Sequence, residues 1–359
     1  MSNIGNMLRL ARQRKGFTQK FASGKLGVTQ PVLSRYENGA AEADSSFLLL
    51  ASRVYDIPKG FFSLNEPVYG PAVSVHPMPR AKASVTARDL DMVTAELNIR
   101  AMQMRRFLDG VDYSPTSNLP QFDVESYGTP TKIAALLRAH WKLPFGPINN
   151  LTALVERAGI IVAHSDFGGA SVSGMTFQVP GQPPLILLNG AHPADRMRLT
   201  LGHELGHVIM HKFPTPDMER EAFEFSSTFL FPPNELRSQF RGRKPTLELL
   251  ASLKPEWKMA MSAILYAANR EKLITPNQYR YLNMQIAKRG WKTREPSNLD
   301  FAHETPKIMT AILRAHLDEL GYTFDDLLNF IPMYKTEFTT LYGDVGKPVN
   351  NKPKLRIVN

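Results

Sequence analysis

The chain has 359 residues, of which 43% are hydrophobic and 21% are charged, and this composition excludes a largely disordered protein. It contains no cysteine, which excludes disulfides, thiolate metal sites and cysteine nucleophiles. The net charge of +10 favours an acidic partner, with nucleic acid as the first candidate. No apolar run approaches the roughly 20 residues that cross a bilayer, and the N-terminus has no signal-peptide pattern, so we expect a cytoplasmic protein that does not bind a membrane.

The first 65 residues form a basic segment with helical patterning. Seven basic residues and no acidic residue precede Glu37. Apolar residues at helical spacing predict a first helix that ends at Gly16. Thr18 and Thr29 are each positioned to cap a short helix, and Gly27 is positioned to turn the chain between these two helices. Two further short helices complete the predicted domain.

Two short helices joined by a glycine turn, the second of them rich in small polar side chains, are typical of a helix-turn-helix. The run TQKFASGKLGVTQPVLSRYENG (18–39) resembles the XRE/lambda-repressor-like family. The resemblance implies that residues 1–65 form a DNA-binding domain in which Arg12 and Glu37 form an internal ion pair. The alternative is a helical protein-interaction module without DNA binding. The side chains that the resemblance places at the DNA are Gln19, Thr29, Gln30, Ser34 and Arg35.

Residues 66–112 are predicted to be a linker followed by a long helix. The stretch 67–83 is rich in proline and valine and is typical of an extended connector. Thr86 and Asp89 can form a capping box that opens a helix ending near Asp109. One narrow apolar stripe on this helix suits either packing within the chain or a coiled-coil seam. Repressor-like DNA-binding proteins normally act as dimers, so we expect a homodimer. The stripe consists of Leu90, Val93, Leu97, Ala101, Met104 and Leu108.

Residues 113–235 are predicted to contain a small sheet and a helix with a metal-binding pattern. The stretch 113–131 is typical of a second connector. Short apolar runs at 159–163, 175–179 and 185–188 predict three strands. The glycine-rich segment DFGGASVSG before the second strand is predicted to be a loop. An edge strand of such a sheet can hold an extended peptide.

The central motif is HELGH at residues 203–207. Two histidines four residues apart on one helix project from the same face, so both imidazoles can bind one ion. Glu204 lies beside that face, where it can take a proton from the attacking water and deliver it to a leaving amine. Apolar neighbours are expected to bury the histidines, and buried imidazoles need partners such as a metal. A second helix follows and carries Glu219, twelve residues after His207.

The stretches DRMRLTLGHELGHVIMH and EREAFEFSSTFLFP resemble the ImmA/IrrE family of zinc metallopeptidases, which implies a zincin-like domain that binds Zn²⁺. Glu221 is an alternative third ligand, and His211 lies too far along a straight helix to share the ion. The family often has Asn or Asp four residues after the third ligand, a place where it can orient a ligand histidine, and this chain has Phe223 there. The residues that match the family's site are the metal ligands His203, His207 and Glu219 and the general base Glu204.

The sequence does not identify a donor for the oxyanion of peptide hydrolysis. Nearby candidates are His192, Arg196 and Arg198, and the alternative for each is a structural side chain. Residues 236–359 form a predicted helical extension without assigned chemistry. Its helical patterns lie at about 246–252, 257–271, 275–288, 306–320 and 324–330. The predicted fold class is therefore mainly α with a small β-sheet (α+β).

The two resemblances imply a DNA-binding transcriptional regulator with zinc-dependent endopeptidase activity. Its partners would be operator DNA and a protein substrate, a repressor in a stress or mobile-element circuit. The alternative is a non-catalytic transcription factor or antitoxin-like module whose peptidase fold only senses a metal or a ligand. In a third reading the helix-turn-helix docks only protein, which predicts that any DNA affinity depends weakly on salt.

Overall fold

The computed structural model describes residues 3–70, 74–77, 86–167, 172–179, 181–343, 345 and 355–357. The protein is mostly helical and contains a small sheet, which confirms the predicted fold class. Within the described ranges, buried hydrophobic residues form three cores. None of the helices in these ranges combines the length and hydropathy that a membrane span requires.

The N-terminal domain (residues 3–65) is a bundle of short helices around its own core. Thr18 caps the second helix by accepting a hydrogen bond from Phe21 N at 3.1 Å, and Gly27, with a φ of 65°, turns the chain towards the third. Thr29 occupies the N-cap position of the third helix, but within the described chain its hydroxyl makes no capping bond. The helices are α1 (Ile4–Arg14), α2 (Gln19–Lys25), α3 (Gln30–Glu37), α4 (Ser45–Tyr55) and a 3₁₀ helix (Lys59–Ser63).

The long helix α5 (Ala87–Leu108) lies between the N-terminal domain and the rest of the chain. Its capping box is confirmed, because Thr86 and Asp89 exchange hydrogen bonds. Most of the predicted stripe is covered by the chain itself, with Val93 and Leu97 fully buried, whereas Leu90 is 37% exposed. A continuous coiled-coil seam along this stripe is therefore wrong, and a homodimer would need another surface. A second face of α5 packs into the N-terminal core. That second face consists of Ala95, Ile99 and Met102.

The predicted extended connector, 67–83, is described in part. Residues 67–70 are irregular and residues 74–77 form a strand, whereas residues 71–73 and 78–83 lie outside the described residues.

The described strands, in chain order, are β1 (Ser74–Pro77), β2 (Val111–Tyr113), β3 (Ile161–Ser165), β4 (Val172–Phe177), β5 (Leu185–Asn189) and β6 (Leu355–Ile357). Four of them form one sheet in the order β1-β4-β5-β3, and β2 pairs with β6. Strand β4 is antiparallel to both of its neighbours, and β3 is parallel to β5. The outer edge of β4 is therefore paired with the chain's own β1, and the edge strands of this four-stranded sheet are β1 and β3.

Helices on one face of the sheet bring the predicted metal motif against β4 and β5. The helix predicted after the third strand is confirmed. The stretch 113–131, predicted as a connector, instead contains a short helix and the first turn of another, which Thr129 caps. Asn150 caps a further helix that the sequence pattern did not predict. These helices are α6 (Val124–Tyr127), α7 (Pro130–His140), α8 (Leu151–Arg157), α9 (Ala194–Met210) and α10 (Met218–Leu230).

The remaining helices divide between two cores. They are α11 (Pro233–Phe240), α12 (Leu247–Trp257), α13 (Met261–Arg270), α14 (Pro276–Lys288), α15 (Ile308–Asp318), α16 (Phe324–Phe330) and α17 (Lys335–Tyr342). Helices α11 to α14 share a core with α9 and α10, whereas α15 to α17 pack with α5 and the other face of the sheet. The core around the metal motif thus continues past residue 235, where we predicted a domain boundary.

Candidate metal centre and DNA-facing helices

Two glycines allow α9 and α10 to approach closely. A Cβ added to Gly206 would lie 3.2 Å from Ala222 Cα, and one added to Gly202 would lie 2.5 Å from Ser226 Oγ. Glycine and its small partners recur four residues apart on both helices, so they form one continuous line of close contact. This contact places Glu219, one turn before Ala222, beside the histidines of α9.

The candidate metal centre consists of His203, His207 and Glu219. The two Nε2 atoms are 3.0 Å apart, and the Glu219 carboxylate oxygens lie 3.5 Å from His203 Nε2 and 3.4 Å from His207 Nε2. Ligand atoms about 2.0–2.2 Å from a tetrahedral zinc ion stand roughly 3.3 Å from one another, so this triangle fits such an ion. His203 and His207 are buried, whereas the Glu219 side chain is 23% exposed, so one side of the centre faces solvent. The three residues form a possible metal site.

Glu204, which lies between His203 and His207 in the sequence, is fully buried. Thr176 Oγ1, on β4, donates a hydrogen bond to Glu204 Oε2 at 2.7 Å. The strand reaches this position because Gly174 lacks a side chain, and a Cβ there would lie 2.6 Å from the Thr200 methyl on α9. Strand β4 begins at Val172, inside the segment predicted as a loop. Sequence reasoning misses Thr176, because a threonine inside a strand carries no motif.

His211 and Glu221 lie together outside the three-residue centre. His211 Nδ1 is 3.0 Å from His207 Nδ1, and His211 Nε2 is 3.1 Å from Glu221 Oε2. Burial, together with the neighbouring His207, lowers the pKa of His211. Glu221 therefore contacts His211 rather than the metal-facing atoms, and the geometry favours Glu219 as the third ligand.

Phe223 has no polar group with which to orient a histidine of α9. Its ring lies 5.5 Å from the ring of Tyr266 on α13, in an edge-to-face contact. At this position the chain has an aromatic contact between helices instead of the Asn or Asp that the family often has.

The three oxyanion candidates lie at or before the first turns of α9. Arg198 forms an ion pair with Glu304 and donates to a backbone carbonyl at 2.8 Å. Arg196 donates to Ser173 Oγ at 3.0 Å. Burial lowers the pKa of His192 to about 4, so it is neutral near pH 7. The contacts of Arg196 and Arg198 support structural roles for these two residues.

The internal ion pair predicted in the N-terminal domain is confirmed. Arg12 binds Glu37 through two parallel hydrogen bonds of 2.6 and 2.9 Å, and the Glu37 side chain is fully buried. Gln19 Nε2 donates to the same carboxylate at 2.9 Å. One amide N–H of Gln19 is therefore used within the domain.

The other residues predicted to contact DNA lie on or next to α3. Thr29, Gln30 and Arg35 are exposed, and Ser34 is half-buried. Because Glu37 is buried in its ion pair and no acidic residue precedes it, the surface formed by α2 and α3 carries positive charge only. An exposed, purely positive surface around a short helix suits a phosphate backbone. The exposed basic side chains are Lys20, Lys25 and Arg35.

Comparisons with known proteins find matches to two regions of the chain, one N-terminal and one around the candidate metal centre. Residues 8–62 match the helix-turn-helix family, and residues 155–269 match the peptidase family described as the IrrE N-terminal-like domain. The HTH-type transcriptional regulator ImmR of Bacillus subtilis (strain 168) is 38% identical over 55 residues, which are 15% of this chain and 43% of ImmR. The chain thus spans less than half the length of that relative. Both resemblances drawn from the sequence are confirmed, and the chain joins an XRE-type helix-turn-helix domain to a peptidase-family domain of the IrrE type.

Proposed function

We propose that this protein is a transcriptional regulator with zinc-dependent endopeptidase activity that binds operator DNA and cleaves a repressor protein. The observation that carries this proposal is the triangle of His203, His207 and Glu219 with Glu204 held beside it. Two histidines and a glutamate are the ligand set of catalytic zinc sites, which keep a fourth position open. The partial exposure of Glu219 supports access of a substrate to that position.

The chain's own residues supply proton transfer at this site. When bound, zinc provides a Lewis acid that polarises the scissile carbonyl and lowers the pKa of water. Glu204 takes the proton of the attacking water and passes it to the leaving amine. Thr176 donates a hydrogen bond to one carboxylate oxygen of Glu204, which helps to fix the orientation of the carboxylate. The apolar surroundings of α9 exclude bulk water and strengthen these interactions.

Fusion to a DNA-binding domain supports a DNA-bound substrate. The similarity to ImmR, which is named an HTH-type transcriptional regulator, supports operator binding by the helix-turn-helix domain. A peptidase tethered near an operator meets other proteins bound there at a high effective concentration. We therefore propose a repressor bound near the operator as the substrate.

The test compares wild type with Glu204→Gln. Purified protein is analysed for zinc by mass spectrometry, and new protein N-termini are mapped in cells that express either form. We expect both forms to hold zinc and to bind DNA equally, and the variant to lose at least about a hundredfold in cleavage rate, because general acid–base catalysis is worth that much.

Two outcomes would contradict the proposal. If purified wild-type protein contains no zinc, the proposed metal centre is wrong. If Glu204→Gln keeps zinc and promoter binding and leaves regulation unchanged, catalysis is not the function, and the non-catalytic regulator is then the better account.

A further inference from the structure

We propose that Glu221 and His211 form a hydrogen-bonded relay that fixes the tautomer and the ring orientation of His207. In this relay His211 and Glu221 are positioning residues rather than ligands. The inference rests on the proposed function, because it assumes that His207 binds a metal, and it deepens that proposal by naming the residues that prepare the ligand.

The first step concerns the two ring nitrogens of His207. Nε2 faces His203 Nε2 at 3.0 Å, and Nδ1 lies 3.0 Å from Nδ1 of His211. A nitrogen that binds a metal must offer its lone pair, so the proton of neutral His207 is on Nδ1. His207 therefore donates from Nδ1, and His211 accepts at its own Nδ1.

The second step concerns Glu221, which selects the direction of these bonds. If His211 accepts at Nδ1, its proton is on Nε2, which lies 3.1 Å from Glu221 Oε2. An ionised carboxylate only accepts hydrogen bonds, so it stabilises this tautomer. The reverse direction would set the lone pair of His211 Nε2 against the carboxylate and would place a proton on the metal-facing nitrogen of His207. One direction alone satisfies all three groups.

The fold holds the relay at the junction of two helices. His211 is the C-cap residue of α9, its backbone N–H donates to the His207 carbonyl at 3.0 Å, and its side chain is buried. Glu221 lies in the first turn of α10, two residues after Glu219, where the helix N-terminus favours negative charge. Helix α10 thus provides one carboxylate beside Nε2 of His207 and, through His211, a second on its Nδ1 side.

The relay explains how the chain does without a polar residue at Phe223. A metal-binding histidine almost always donates its second ring N–H to an acceptor that sets its orientation. Here that acceptor is a histidine from the same helix, and the carboxylate behind it comes from the next helix.

The first experiment measures zinc affinity of the full chain by competition with a chromogenic chelator. We expect His211→Leu to bind zinc about 10–100-fold more weakly than wild type, which is the usual effect of losing such a partner. His211→Asn keeps an acceptor near the position of Nδ1, so it should bind more tightly than His211→Leu. Equal affinity of His211→Leu and wild type would overturn the relay.

The second experiment reads the tautomers directly and does not depend on cleavage. In ¹⁵N-histidine NMR spectra, recorded with and without zinc, we expect a proton on Nδ1 of His207 and on Nε2 of His211. Glu221→Gln should weaken this preference at His211. Glu224→Gln is the matched control, because that carboxylate lies on the same helix and binds Thr131 at 2.9 Å. A proton on Nδ1 of His211 in wild type would overturn the proposal.

These readouts separate the relay from the proposed function. If wild type takes no zinc, the metal centre fails, and the spectra of the metal-free protein still decide the tautomers. If wild type takes zinc and His211→Leu takes it equally well, the relay alone fails. Should His211→Leu prove unfolded by circular dichroism, His211→Asn and Glu221→Gln carry the decision.

Discussion

The candidate metal centre and the helices predicted to contact DNA, α2 and α3, present their polar groups in opposite ways. His203, Glu204 and His207 are at most 3% exposed, whereas Gln30 and Arg35 lie open to solvent. A buried polar group needs hydrogen-bond partners inside the protein. The polar groups of the centre therefore depend on the positions of neighbouring residues. An exposed group finds its partner only in a complex. The first region is therefore sensitive to small changes of geometry, and the second mainly to loss of charge.

A buried charge cluster nevertheless joins the two regions. Arg14, on α1, binds Glu96 of α5 at 2.7 Å, and Glu96 also binds Arg100 and accepts from Ser165 on β3 at 2.6 Å. Burial raises the pKa of a carboxyl, but Arg100 and Arg14 outweigh this effect and lower the pKa of Glu96 to about 2. The N-terminal domain and the sheet are thus both tied to one residue of α5, a carboxylate whose pKa is lowered.

The largest expected effect is at the metal centre, in Glu219→Gln. Loss of the carboxylate removes a ligand, so zinc affinity should fall by more than the roughly hundredfold loss expected from an outer contact. DNA affinity should not change, because α2 and α3 lie elsewhere. Chelator competition and a DNA-binding titration on the same sample check both statements. If Glu221→Gln loses more zinc affinity than Glu219→Gln, Glu221 is the third ligand instead.

The second prediction concerns the exposed region and the double variant Gln30→Ala, Arg35→Ala. Each base contact is worth about 1–3 kcal/mol, so affinity for a specific promoter fragment should fall at least tenfold at physiological salt, while zinc content stays the same. If Arg35 contacts a phosphate instead, the slope of log affinity against log salt should shrink by about one. Arg243→Ala, an exposed basic residue after α11, is the control. A wild-type affinity that hardly depends on salt would favour the protein-docking alternative.

The third prediction concerns Thr176→Val, which keeps the shape of the side chain and removes the hydrogen bond to Glu204. A hydrogen bond to a charged group is worth about 1.5–3 kcal/mol, so we expect kcat to fall about tenfold or more, with zinc content unchanged. Thr228→Val is the matched control, because this buried threonine bonds only to carbonyls of its own helix among the described residues. Equal losses in both variants would indicate a general loss of stability.

Local signals in the sequence predict much of this structure. The HELGH spacing and the apolar periodicity around it place α9, and the cap signals at Thr18 and Thr86 mark the starts of their helices. The metal-facing residues follow from the same spacing together with a family resemblance. Each of these predictions depends on residues within one or two helical turns, where sequence and geometry are directly linked.

Features that depend on distant partners escape the sequence. Strand β1 pairs with β4 about 100 residues later in the chain, and nothing within the four residues of β1 signals that partner. From the sequence alone, Gly174 is typical of a loop. Its role inside a strand follows only from the close contact with Thr200. The contact of Glu221 with His211 depends on how the chain turns between α9 and α10, which spacing alone does not determine.

The smallest expected effect is at Gly24, inside α2 of the exposed region. A Cβ added there would meet no described atom within 4 Å, so Gly24→Ala should gain about 0.5–1 kcal/mol of helix stability. At the metal centre the same change has the opposite sign, because the Cβ of Gly206→Ala would lie 3.0 Å from the Phe225 ring and would push α10, with its ligand, away from α9. Amide hydrogen exchange of the full chain should therefore slow in α2 for the first variant and quicken in α9 and α10 for the second. If both variants are stabilised, α9 and α10 are not in close contact, and the glycines of HELGH and its flank do not position Glu219.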